Sequence, residues 1–104
     1  FSVIVRDATI QRFEYTFEAF WKWTQEYLKQ QEGVIANSPK TCFKDLYKAG
    51  LCSAPESVKL LEMTDKRNAT THTYREKIAK MIYRSIRGYQ QLIRKIHSRA
   101  TAKH

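Results

Sequence analysis

Proline and glycine are scarce in this chain of 104 residues, with two of the first and three of the second. So few breakers leave long uninterrupted elements as the expected local structure. Cysteine is equally sparse. Cys42 and Cys52, ten apart, do not form a zinc pattern and read as buried structural thiols. No Cys/His cluster suggests a metal site, no glycine-rich loop suggests a phosphate cradle, and no cofactor is expected. A run of about 18 apolar residues, the minimum for a membrane span, is missing. So is a charged leader followed by an apolar stretch, the mark of a secretory signal. Free thiols without such a leader fit a reducing compartment, so a cytoplasmic location away from membranes is expected.

Acidic residues all but vanish near the end. Residues 1–74 carry ten Lys/Arg and nine Asp/Glu, whereas residues 75–104 carry nine Lys/Arg and one Asp/Glu. Nearly the whole formal charge of +9 belongs to the final segment. A block of this kind attracts polyanions in a salt-dependent way. The plainer alternative is a solvated helix face followed by a frayed basic tail.

What is abundant is helical periodicity. The first segment spans about Ala8 to Gln31, with Asp7 as the expected N-cap and Gly33 as the stop. Ile10, Phe13, Phe17, Phe20, Thr24 and Leu28 recur at spacings of three and four, one face of a helix. Tyr15 and Trp23 lie off that stripe, which suggests a second buried surface such as a dimer interface. A second helix opens at Ser38-Pro39 and stops at Ala49-Gly50-Leu51. A third runs from Ser53-Ala54-Pro55-Glu56 toward Arg67. A fourth extends from about Arg75 to Ala100, with Ile78, Ile82, Tyr89, Leu92 and Ile96 on one side. Lys77, Lys80, Arg84 and Arg87 are on the other, and Gly88 marks a kink or a close contact. The fold expected is all-α: an up-and-down antiparallel helical bundle over residues 1–104, a single domain with a basic C-terminal helix and tail. Its aromatic surface exceeds what one small layer buries, so a homodimer is expected.

Chemistry concentrates in Arg67-Asn68-Ala69-Thr70-Thr71-His72-Thr73-Tyr74. A fixed cation, an imidazole that titrates near neutrality and a phenol stand within about two helical turns. Such a set can hold a phosphate and move a proton beside it. Arg67 suits phosphate stabilisation and His72 general acid–base work, while Asn68 and Thr71 can position substrate by hydrogen bonding. The alternative is a capping Arg and a helix-terminal His. On one continuous helix Arg67 and His72 would point ~140° apart. Convergence therefore requires the helix to end or bend near His72, or a second copy to complete the site.

Three ordered motifs carry a family resemblance. Arg6-Asp7-Ala8-Thr9-Ile10-Gln11-Arg12-Phe13-Glu14-Tyr15-Thr16-Phe17-Glu18, with Trp21-Lys22, resembles the opening motif of the nucleotidyltransferase substrate-binding family, part of the HEPN superfamily. Ser38-Pro39-Lys40, Phe43-Lys44 and Lys48-Ala49-Gly50-Leu51 resemble its middle segment. Arg67-Asn68 with His72 and Tyr74 resembles the Arg-x4-His-x-Tyr signature of HEPN ribonuclease toxins. The resemblance implies a dimeric helical bundle, here without the helix that usually precedes the first motif. It implies a metal-independent ribonuclease toxin using Arg67 and His72. A partner, a minimal nucleotidyltransferase antitoxin, would neutralise it by transferring AMP to Tyr74. Lys77, Lys80, Arg84 and Arg87 would steer RNA. The alternative function is a non-catalytic accessory subunit that binds substrate or nucleotide for that nucleotidyltransferase.

Overall fold

The structure, a computed structural model, describes residues 2–70 and 75–103. The described residues form four α-helices: α1 (Val3–Tyr27), α2 (Pro39–Lys48), α3 (Ala54–Ala69) and α4 (Arg75–Lys103), with a π-helical turn, Leu28–Glu32, extending α1. The all-helical bundle read from the sequence is therefore the fold.

Local chemistry sets each boundary. Helix α1 begins five residues earlier than expected, because Ser2 rather than Asp7 caps it. The Ser2 hydroxyl accepts from the Val5 N–H at 3.1 Å, and nothing between Ser2 and Asp7 interrupts the helix. Asp7 instead pairs with Arg6 at 3.0 Å. At the far end Gly33 takes the left-handed conformation, φ 66°, and releases the chain. Ser38 and Pro39 start α2 as expected. Its end is a Schellman motif. Leu51 N–H donates to Leu46 O at 3.2 Å and Gly50 N–H to Tyr47 O at 3.0 Å, with Gly50 at φ 81°. Helix α3 opens on a reciprocal capping box. Ser53 N–H donates to the Glu56 carboxylate at 2.9 Å, and Glu56 N–H to the Ser53 hydroxyl at 3.3 Å.

Side-chain pairs define the topology. Helices α2, α3 and α4 alternate in direction. Lys40 in the first turn of α2 pairs with Asp65 late in α3 at 2.8 Å. Lys66, late in α3, meets Ser85 and Tyr89, whereas Glu56 at its start meets Arg99. Helix α1 runs beside α4 in the same direction, for Phe13 meets Tyr89, Trp23 meets His97 and Glu32 meets Lys103. This is possible because residues 33–38 carry the chain back along α1 before α2 begins. Gln25 fastens that return by donating to Ala36 O at 2.8 Å.

The stripe Ile10, Phe13, Phe17, Phe20, Thr24 and Leu28 is buried, as its spacing predicts. Phe43 of α2 lies edge-on to Phe17 and stacked against Phe20, with ring centroids 6.1 Å and 5.6 Å apart. Each such buried ring contributes roughly 2–3 kcal/mol through area removed from water. Thr24, fully buried, satisfies its hydroxyl by donating to Phe20 O at 2.9 Å.

Two expectations change in part. Trp23 is not held for a second subunit alone; it is part-buried within the chain against Phe20, Tyr27 and His97. Tyr15, by contrast, is 66% exposed. The basic C-terminal stretch is no frayed tail either. Ile96 and Ala100 are buried, Arg99 chelates Glu56, and Lys103 reaches Glu32 at 3.2 Å and Ala49 O at 3.3 Å. Gly88 sits within the unbroken α4 without backbone crowding. A Cβ there would meet Lys59 Nζ at 4.0 Å.

Candidate functional site

Helix α3 ends at Ala69 and α4 starts at Arg75, so the Arg67-to-Tyr74 string is divided by a helix–helix corner. Of the predicted residues, Arg67 and Asn68 occupy the last turn of α3. Thr71, His72 and Tyr74 lie outside the described residues. Thr70 closes the helix: its hydroxyl donates to Arg67 O at 2.7 Å, and the side chain is buried. That bond fixes the carbonyl end of the turn from which Arg67 projects.

The Arg67 guanidinium is part-buried, and Glu18 of α1 stands beside it, with Nη2 and Oε1 3.6 Å apart. The other oxygen of Glu18 accepts from the Trp21 indole N–H at 3.2 Å and lies 3.9 Å from Lys22 Nζ. Glu18 is thus anchored along its own helix, and it attracts Arg67 without saturating it. Arg67 Nε is buried and has no hydrogen-bond partner among the described residues. A guanidinium paired from one side only, and still partly exposed, keeps N–H groups that suit an oxyanion. Sequence reasoning missed Glu18 as the partner of Arg67. The pair spans 49 positions, and no local signal encodes that separation. Thr70 was also missed, although a hydroxyl at a helix terminus is a recognisable capping signal.

Lys77, Lys80, Arg84 and Arg87 are all exposed on α4. Their spacing keeps them within an arc of ~80° around that helix. Lys80 lies 3.9 Å from Glu76. They form a cationic strip along α4. The His97 ring packs against Trp23, with centroids 5.2 Å apart.

The two thiols are inert. Both are buried, and burial pushes Cys42 and Cys52 up to about 11, Asp45 and Glu56 respectively adding to the effect. Among the described residues no group of His, Cys, Asp and Glu could hold a metal ion, and no helix is long and apolar enough to cross a membrane.

The crystal structure of a protein from Thermus thermophilus has the same architecture. It aligns with a TM-score of 0.87 and 43% identity, covering 95% of this chain and 83% of that one. A comparison with curated proteins finds no match. The family model described as "Nucleotidyltransferase substrate binding protein like" matches residues 2–102, which contain all three motifs read from the sequence. The chain belongs to the nucleotidyltransferase substrate-binding-protein-like family, a HEPN-like family.

Proposed function

We propose that the α3–α4 corner is the centre of a metal-independent ribonuclease, controlled by a partner nucleotidyltransferase. The observation that carries this reading is the state of Arg67. Its guanidinium is paired with Glu18 from α1 and keeps a buried Nε without a partner among the described residues, five residues before His72 and eight before the start of the basic helix α4. In this mechanism a base removes the proton of an RNA 2′-hydroxyl. The 2′-oxygen attacks the adjacent phosphorus, and the bond to the 5′-oxygen breaks as an acid returns a proton to it. The products are a 2′,3′-cyclic phosphate and a 5′-hydroxyl. Arg67 stabilises the charge that builds on the phosphorane, and His72 serves as acid or base.

One imidazole carries one proton at a time, so two copies of His72 in a homodimer divide the roles. A groove between α1 and α4, about 640 Å³ and lined by Ala19, Phe20, Trp23 and Ile93, supports dimerisation. The exposed Tyr15 also does so.

Control follows from chemistry at the same corner. The partner transfers AMP from ATP: the Tyr74 phenol oxygen bonds to the α-phosphorus and pyrophosphate leaves. The added bulk and negative charge then compete with RNA phosphates for Arg67. Co-expression with the neighbouring nucleotidyltransferase tests this. The intact mass should rise by one or more AMP increments, and Tyr74→Phe should abolish the rise. An unmodified mass, or equal modification of the variant, removes Tyr74 as the switch.

The family description favours a second reading, a non-catalytic subunit that binds substrate or nucleotide for the nucleotidyltransferase. Arg67 would then hold a nucleotide phosphate. Stimulation of the partner, with no RNA cleavage by the unmodified protein, distinguishes it.

A further inference from the structure

A cluster of hydrogen-bond donors lies about 100° around α3 from Arg67, where α3 packs on α4. Lys66 is the neighbour of Arg67 in sequence but points elsewhere. Its part-buried ammonium donates to Ser85 Oγ at 3.1 Å and to Tyr89 Oη at 2.7 Å. It lies 5.0 Å from the centroid of the Tyr89 ring, on the hydroxyl side. Both hydroxyls accept from Lys66, so each keeps its own O–H to donate. Neither O–H finds an acceptor among the described residues, nor does Lys66 have a carboxylate within 4.0 Å.

These donors open on a cavity of about 260 Å³, whose rim carries Lys59, Arg84 and Glu62. Lys59 and Arg84 also lack a carboxylate partner among the described residues, whereas Arg67, Arg99 and Lys103 each have one. Three cations against Glu62 leave the cavity with two excess positive charges. Glu62 is exposed, where water screens it. Gly88 forms the cavity floor, and without a side chain it leaves the space open. A second cavity of about 290 Å³ shares Lys59 and Gly88 and continues toward Lys95. The result is a trough along the α3–α4 face in which Lys59, Lys66, Arg84 and Lys95 outnumber Glu62 and Glu56, the latter already paired with Arg99.

We propose that the Lys66–Ser85–Tyr89 cluster is a phosphate subsite for the RNA backbone, several nucleotides from the scissile bond. Ser85 and Tyr89 lie ten and fourteen residues into α4, ~15–21 Å from the helix head that borders the Arg67 corner. One phosphodiester accepts from the lysine and both hydroxyls, and Arg84 and Lys59 flank it. Assigning the phosphate to RNA rests on the ribonuclease reading; the donor cluster itself does not.

The test is binding of a fluorescein-labelled single-stranded RNA to protein carrying His72→Ala, which prevents cleavage during the titration. Lys66→Met keeps the packing of the stem and should weaken binding by roughly tenfold, with the salt slope shallower by about 0.7. Arg84→Ala, at an exposed position, should also flatten that slope. Ser85→Ala removes no charge, so it should weaken binding with the slope unchanged, which a merely electrostatic surface would not do. Lys29→Met, on an exposed part of the π turn, should bind as the parent does. Wild-type affinity in both Ser85→Ala and Arg84→Ala overturns the subsite, even if Lys66→Met fails to fold. Free AMP competing as well as an oligonucleotide overturns the RNA assignment in favour of a mononucleotide. Loss of binding in these variants alongside an inactive wild type would sink the ribonuclease reading while leaving the subsite standing.

Discussion

Arg99 grips Glu56 with both arms: Nη1 to Oε1 at 2.7 Å and Nη2 to Oε2 at 3.1 Å, across 43 positions of chain. The same Nη1 donates to Leu51 O at 3.1 Å. One guanidinium therefore ties the end of α4 to the capping box of α3 and to the loop before it. The Arg99 hydrogen bonds, helped by the Ser53 N–H, hold the Glu56 carboxyl down at about 2.

The depressed carboxyl makes stability depend on pH. Its contribution is complete above the ordinary carboxylate range, near pH 4.5, and disappears as pH falls toward about 2. Glu56→Gln should lower stability at pH 7 by roughly 1–3 kcal/mol and flatten the acid limb of the stability–pH curve. Urea unfolding at pH 7, 4 and 3 measures both.

Cys42 and Cys52 should resist thiol reagents while the protein is folded. Both are buried and pushed up to about 11, so little thiolate exists at neutral pH. Reaction with a disulfide reagent at pH 7.5 should be slow in buffer and complete for both thiols in urea.

Gly88→Ala should stabilise the protein. The position is helical, has ordinary φ and meets only the end of Lys59 at 4.0 Å, so alanine fits. A gain of about 0.5–1 kcal/mol is expected from the reduced freedom of the unfolded chain. A higher Tm with unchanged circular dichroism would register it.

Glu18→Ala should release Arg67 from its anchor. If RNA cleavage depends on that arginine, kcat should fall on the order of tenfold with KM nearly unchanged, since Glu18 positions the guanidinium rather than touching substrate. Glu18→Gln should recover part of the loss by keeping the bond from Trp21.

The helical architecture was legible because its signals are local. The stripe from Ile10 to Leu28, Ser38-Pro39, Gly50-Leu51 and Ser53 to Glu56 each act within four or five residues. Asp7 misled because a competent cap, Ser2, lies one turn earlier. Trp23 looked surplus because its partner His97 is 74 positions away, and the tail looked loose because Glu32 and Glu56, which bind it, lie 71 and 43 positions from their partners. The same limit hid Glu18 behind Arg67. A motif can propose Arg67 and Asn68, but only the packing of α1 on α3 supplies the carboxylate that orients the guanidinium.

Cleavage of RNA in excess chelator, by purified unmodified protein, is the most direct test of the Arg67–His72 centre. Wild type should cut, and His72→Ala, with the same helical circular dichroism, should lose about 10³-fold in rate. Equal cleavage by the two proteins, or none by a wild type whose mass is free of AMP, would contradict it.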